Sequence, residues 1–157
     1  MGRGPDLDEM TPGEWVHHRR LALGLTLEEV AERADVAPAD ISRVESGQAK
    51  DVAERLRTAL AARPSALLAR HRGRVLEAAA RLGIRNVRVL GSVARGDDQT
   101  DPDVDLLVDL PPGASLFTVA EFAADVSRIL TVRVDVINDS PSRHKVRAAA
   151  RAESVAL

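Results

Sequence analysis

The sequence predicts an α+β chain of two domains, an all-α N-terminal domain over residues 1–63 followed by an α/β domain over residues 64–157. Three observations predict it. Helix-start signals crowd the first part, and no segment there reads as a strand. After Pro64 the apolar period changes, and short runs appear that alternate or stay apolar like strands. The charge divides along the same line: residues 1–63 hold 9 Lys and Arg against 12 Asp and Glu, net −3, whereas residues 64–157 hold 13 against 12, net +1. A chain of 157 residues has room for two small cores.

Taken in order, "TPGE" (Thr11 to Glu14) and "TLEE" (Thr26 to Glu29) are capping boxes, and Pro12 suits a first helical position. Helices are expected over about 12–23 and 27–34. The turn "DVA" leads into "PADISRVES", where Pro38 again costs no hydrogen bond, and Gly47 ends that helix. "DVAERLRTALAA" makes a fourth helix before Pro64 and Ser65 break and recap the chain. Beyond lie a helix ("SALLARHRGRVLEAAARLG"), strands "IRNVRVL" and "DVDLLVDL", a helix ("SLFTVAEFAADVSRIL"), a strand ("TVRVDVI") and a last helix ("SRHKVRAAARAESVA"). The second domain is thus α-β-β-α-β-α.

Composition excludes several classes. A net charge of −2 gives no whole-chain attraction to nucleic acid or membrane. No apolar run approaches a spanning helix, and the acidic start "MGRGPDLDEM" is no signal peptide, so the cytoplasm is the default expectation and no membrane partner is expected. Without Cys, a metal must be held by oxygen or imidazole. Trp15, Phe117 and Phe122 are the whole aromatic set, which leaves nucleobase stacking poorly supplied.

The chemistry concentrates in "LGSVARGDDQTDPDVDLLVDL", Leu90 to Leu110. Carrying Asp103 and Asp105 into an apolar strand costs several kcal/mol unless something positive sits beside them, in order-of-magnitude terms. On a strand, residues i and i+2 point the same way, about 6.5–7 Å apart, so the two carboxylates can share ions. Asp135, in the otherwise apolar "TVRVDVI", joins them if its strand is adjacent; Arg133 or another basic side chain is its other possible partner. Oxygen-only ligation selects Mg²⁺ or Mn²⁺ over zinc, with phosphates completing the shell. Gly91 and Ser92 end the preceding strand with a Cβ-free turn and a hydroxyl where a helix can begin, its N–H groups open to a phosphate; Arg95 adds charge one turn on, and Gly96 lets the backbone bend. The class of reaction this suits is two-metal nucleotidyl transfer. The loop carboxylates Asp97, Asp98 and Asp101 read as solvated. A calcium loop opening at Asp101 is disfavoured by Leu106 at its turn-glycine place and Pro112 at its glutamate place.

Gly91-Ser92, ten intervening residues and Asp103-Val104-Asp105 resemble the signature of polymerase-β-type nucleotidyltransferases, and "GSVARGDDQTDPDVDLLVDL" looks like their minimal (MNT) branch. The resemblance covers roughly residues 66 to 157. It implies a polymerase-β-like α/β domain with a short mixed sheet, with Asp103, Asp105 and Asp135 as catalytic metal ligands, Gly91 and Ser92 gripping the triphosphate, Arg95 beside them, and ATP with Mg²⁺ or Mn²⁺ as cofactors. Pro102 departs from the small polar residue usual there, leaving the ligands intact.

"TLEEVAERADVAPADISRVESG" resembles the Xre-type helix-turn-helix at Thr26, Val30, Ala31, Ala34, Val36, Ile41, Ser42, Glu45 and Gly47, mostly core and turn positions. Asp35 replaces a turn glycine, which Asp tolerates. DNA reading falls to the start of the second helix, where Pro38, Ala39, Ser42 and Arg43 are the candidate contacts; Leu27 and Ala37 replace the usual Gln and Ser. A net −3 segment opposes phosphate contact unless Arg43, Arg19, Arg20 and Lys50 share one face. Docking or dimerisation is the other use of such a module. His17, His18 and His71 read as solvated, as does the basic helix start "SRHKVR"; Trp15 reads as a core anchor.

About 90 residues leave little room for an acceptor-binding domain, so the acceptor is expected from a partner. The resemblance implies an antitoxin that transfers AMP from ATP to a tyrosine of a cognate HEPN-type ribonuclease toxin, in a homo- or hetero-oligomer, with operator DNA a further partner. The chain has no Tyr, which favours modification in trans. Two rivals stay open: a non-catalytic neutralising or regulatory protein, and a small-molecule nucleotidyltransferase.

Overall fold

The computed structural model describes residues 7–139 and 144–157, and the chain divides into two compact units, Met1–Ala62 and Arg63–Leu157. The first unit opens with a 3-10 turn at Leu7–Glu9 and continues as four helices: α1 (Pro12–Ala22), α2 (Leu27–Ala34), α3 (Pro38–Glu45) and α4 (Ala53–Ala59). Both capping boxes form: Thr11 N donates to Glu14 at 2.8 Å and Glu14 N to Thr11 Oγ1 at 3.3 Å, with the same reciprocal pair between Thr26 and Glu29. Asp35 closes α2 in the left-handed region at φ 53°, and Arg55 donates to its carbonyl at 2.7 Å. α4 is shorter than its sequence pattern, because Asp51 and Val52 are spent on a turn and Val52 offers no side-chain cap.

Trp15, Val16, Val30, Ile41, Val44, Leu56 and Leu60 form this unit's core. α1 and α3 touch backbone to backbone at Gly13, where a Cβ would stand 2.1 Å from the Val44 carbonyl oxygen. Trp15 is buried, with the Arg19 and Arg57 guanidinium carbons 4.7 and 4.6 Å from its ring centre. Two of the four basic side chains considered for DNA phosphate are otherwise engaged. Arg19 is 1% exposed and donates to the Leu60 carbonyl at 3.0 Å, while Arg20 grips Glu45 through Nε at 2.6 Å and Nη2 at 3.1 Å. His17 is half-exposed rather than simply solvated: its Nδ1 lies 2.9 Å from the same carboxylate. Burial pushes the Glu45 carboxyl up, yet the hydrogen bonds from Arg20 and His17 outweigh it and hold the group below its ordinary 4.5.

In the second unit the elements run α5 (Pro64–Arg81), β1 (Arg85–Val89), α6 (Gly91–Arg95), β2 (Val104–Asp109), α7 (Leu116–Leu130), β3 (Val134–Asn138), α8 (His144–Glu153) and β4 (Val155–Ala156). The sheet order is β3-β2-β1-β4. β2 and β3 are parallel, with α7 as the crossover such a pair requires, and β1 is antiparallel to both β2 and β4, so the sheet is mixed. Val104, Leu106, Leu107 and Val108 of β2 have no exposed surface, as suits the central strand of a small α/β core. α5 and α7 pack on each other, α5 against β1 and α7 against β3.

Two short elements depart from the sequence pattern. α6 condenses the residues after Gly91 into a single turn and a half. The chain after Glu153 is strand rather than helix: Leu157 N donates to the Val87 carbonyl at 3.0 Å and Arg88 Nε to Ser154 Oγ at 2.6 Å, so the free edge of β1 captures it. Ser142 and Arg143, and the side chains of residues 144–147, which hold the basic run, lie outside the described residues.

Candidate functional site

The site begins with strand register. β2 and β3 pair so that Asp105 stands opposite Asp135, Val104 opposite Val134 and Leu106 opposite Val136. Neighbouring strands lie about 4.8 Å apart, which puts the two carboxylates side by side on one face. Asp103 precedes Asp105 by two residues, one step outside the strand, and Val104 N fixes that end by donating to the Arg133 carbonyl at 2.9 Å. Asp103 and Asp135 are exposed and Asp105 is half-buried. Burial, then the charges of Asp135 and Asp103, push the Asp105 carboxyl above its ordinary 3.8.

Gly91 meets this group from β1. Leu90 N donates to the Asp105 carbonyl at 2.9 Å, and Gly91 turns with φ +67°, open to glycine at no steric cost. A Cβ there would stand 3.3 Å from Asp105 Oδ2, so the glycine leaves a cradle beside the carboxylate. Ser92 follows in α6 and is half-buried. Arg95, at the end of α6, is exposed and donates through Nε to Asp97 Oδ2 at 3.3 Å, and Gly96 closes the helix at φ +76°.

Among the described residues no three His, Asp or Glu side chains close into a group that could hold a metal ion as they stand. The residues nonetheless fit divalent cations in kind. The donors are all carboxylate oxygens, the type that Mg²⁺ and Mn²⁺ prefer. No described cation is ion-paired to Asp103, Asp105 or Asp135. The repulsion that Asp135 and Asp103 exert on Asp105 is thus not relieved by a described ion pair, and Gly91, lacking a Cβ, leaves room beside the Asp105 carboxylate.

One carboxylate of the loop departs from the solvated reading. Asp97 and Asp101 are exposed, but Asp98 is 1% exposed. Its Oδ2 accepts the Ser65 N–H at 2.8 Å, capping α5 from 33 residues away, and its carbonyl accepts Arg63 Nε at 2.7 Å. The cap of α5 is thus Asp98, not Ser65. No local pattern could have shown this, since Asp98 sits in an acidic, polar run that reads as surface.

In the first unit, Pro38, Ala39, Ser42 and Arg43 are all exposed on α3, with Arg43 Nη1 3.6 Å from Asp40 Oδ1. No described helix is long and apolar enough to cross a membrane.

The comparisons with known proteins fall on the same two regions. The family described as nucleotidyltransferase domain matches residues 72–156, and the helix-turn-helix family matches residues 16–59. A protein adenylyltransferase, MntA of Thermococcus cleftensis, is 38% identical over 60 residues, a stretch covering 38% of this chain and 61% of the relative's length. A solved structure of a minimal nucleotidyltransferase superposes with a TM-score of 0.54 at 36% identity, covering 61% of this chain and 97% of that one. With more than half of its length inside the first match, the chain belongs to the nucleotidyltransferase domain family, in a minimal form joined to an N-terminal helix-turn-helix.

Proposed function

We propose that this protein is an adenylyltransferase that moves AMP from ATP to a hydroxyl on a partner protein, the partner being a HEPN-type ribonuclease toxin and the acceptor a tyrosine. The observation that carries the proposal is the register pair Asp105–Asp135, with the charges of Asp135 and Asp103 both acting on Asp105 and Asp105 lying against the Gly91 turn. The relative that bears the name protein adenylyltransferase supports the reaction class, although the match spans 61% of its length.

Asp103, Asp105 and Asp135 would hold Mg²⁺ or Mn²⁺, which when bound supplies charge neutralisation of the phosphates and Lewis-acid activation of the acceptor hydroxyl. The chain's own contribution is placement. Asp105 and Asp135 are locked by the β2–β3 ladder, Gly91 keeps its side-chain space clear for the phosphates, Ser92 offers a hydroxyl at the turn, and Arg95 is near enough in sequence to leave Asp97 for a phosphate oxygen. The acceptor comes from outside because the chain has no Tyr and few residues beyond the sheet and its helices. The first unit would bind operator DNA through the exposed face of α3 (Pro38, Ala39, Ser42, Arg43), with pairing of two copies compensating for the engagement of Arg19 and Arg20.

Incubation of the protein with α-labelled ATP, Mg²⁺ and the product of the neighbouring reading frame tests the reaction. Label on the partner is the expected result; binding without label would leave a non-catalytic neutralising protein. A gel shift across salt concentrations tests the DNA proposal, and no retardation at low salt would leave the first unit as a docking module.

A further inference from the structure

Asp103 has a weaker mooring than its two neighbours. Asp105 and Asp135 belong to paired strands, whereas Asp103 ends the loop of residues 96–103 and stands outside the ladder. Within that loop Asp98 is the single buried residue, Pro102 is half-buried and the rest are exposed. Asp101 turns the chain through the left-handed region at φ 58°, which Asp tolerates, just before Pro102 and Asp103.

What fixes the loop is a charged side chain placed where burial is costly. Asp98 Oδ2 takes the Ser65 N–H at 2.8 Å, one of the donors that the start of α5 leaves unpaired. The positive end of that 18-residue helix favours an anion there. Arg63 Nε donates to the Asp98 carbonyl at 2.7 Å, while Asp98 Oδ1, buried and without a hydrogen bond, lies 3.9 Å from the same nitrogen. A buried carboxylate with one oxygen unsatisfied is poor economy for a helix cap alone, since an exposed Ser or Asp at position 63 would cap α5 more cheaply.

We propose that Asp98 is a positioning residue for the nucleotidyl-transfer site: by tying loop 96–103 to the start of α5, it sets the Asp103 carboxylate against Asp105. The inference rests on the adenylyl-transfer reading for its purpose, but its physical content is the placement of Asp103 and is measurable without turnover.

The test uses the full-length protein and three readouts: Mn²⁺ affinity by electron paramagnetic resonance without nucleotide, hydrogen exchange of residues 96–103 and transfer of label from ATP. Asp98→Ala is expected to weaken Mn²⁺ binding and slow transfer by roughly tenfold or more, the loss typical when a group orienting a metal ligand is removed, and to speed exchange in the loop. Asp98→Asn keeps an acceptor for the Ser65 N–H and is expected to fall between wild type and Asp98→Ala. Arg63→Gln, which leaves the cap itself intact, should also weaken Mn²⁺ binding and decides the matter if Asp98→Ala does not fold. Faster loop exchange with unchanged Mn²⁺ affinity and transfer would overturn the proposal and make Asp98 a cap only. Wild-type protein that binds Mn²⁺ but transfers no label, with the Mn²⁺ loss still seen in the variants, would sink the adenylyl-transfer reading and support the role of Asp98.

Discussion

At the scale of single residues, Gly91 and the three carboxylates make opposite demands on stability and chemistry. Gly91→Ala adds a Cβ 3.3 Å from Asp105 Oδ2 at φ +67°, which costs about 1 kcal/mol of stability through backbone strain alone. Displacing Asp105 should matter more to turnover, on the order of tenfold to a hundredfold in transfer rate; thermal unfolding and label transfer on one preparation separate the two. Asp103→Asn is expected to remove more than about a hundredfold of transfer, beyond the loss for residues that only orient a ligand, with circular dichroism unchanged. The raised Asp105 carboxyl has its own signature. Because its folded value lies above the ordinary 3.8, the metal-free protein loses stability as pH rises through that folded value. Asp135→Asn should lessen that loss while ending transfer, and unfolding curves from pH 4 to 7 with and without Mg²⁺ check it. The period of two places Asp105 on its strand but not Asp103, which was expected on the same strand and instead ends the loop before it; the Gly91-Ser92 turn was legible from its composition. Asp98, Arg19 and Gly13 were not, since each owes its place to a partner 31 to 41 residues away in the chain.

At the scale of elements, the contact of α1 with α3 depends on two features of different kinds. Gly13→Ala would place a methyl 2.1 Å from the Val44 carbonyl oxygen, and since both sides are backbone the helices must separate. Destabilisation of about 2 kcal/mol or more is expected, read by chemical denaturation. Glu45 ties the end of α3 to Arg20 and His17 of α1. Its folded carboxyl lies below its ordinary 4.5, so its contribution is complete above that value and lost as pH falls through the depressed one. Glu45→Gln should flatten the acid limb of this unit's unfolding between about pH 5 and 3. Helix starts were the most legible elements because capping boxes are local, and both formed. α6 was legible only as a possible helix start at Ser92, since five residues are too few to show a period, and β4 was not legible, because a two-residue strand exists only where β1 offers it an edge.

At the scale of the molecule, two units with separate cores should unfold in more than one calorimetric transition. Gly13→Ala is expected to move one of them and leave the other, and a single transition shifted as a whole would contradict this. The order α-β-β-α-β was readable from the change of period after Pro64, but the mixed pairing was not readable from period alone, which is blind to strand direction. It came instead with the family resemblance, and β2–β3 parallel beside β1–β2 antiparallel is what brings Asp105 and Asp135 into line.

That strand order has a further consequence. Among the described residues β3 is the outermost strand of the sheet, so Asp135 has a strand neighbour on its Asp105 side and none of those residues forms one on the other. An enzyme whose acceptor is a metabolite gains from walls that exclude solvent on every flank. Under the proposed transfer to a partner protein, this unpaired edge is the flank along which a bulky folded guest would bring its hydroxyl, without first being swallowed.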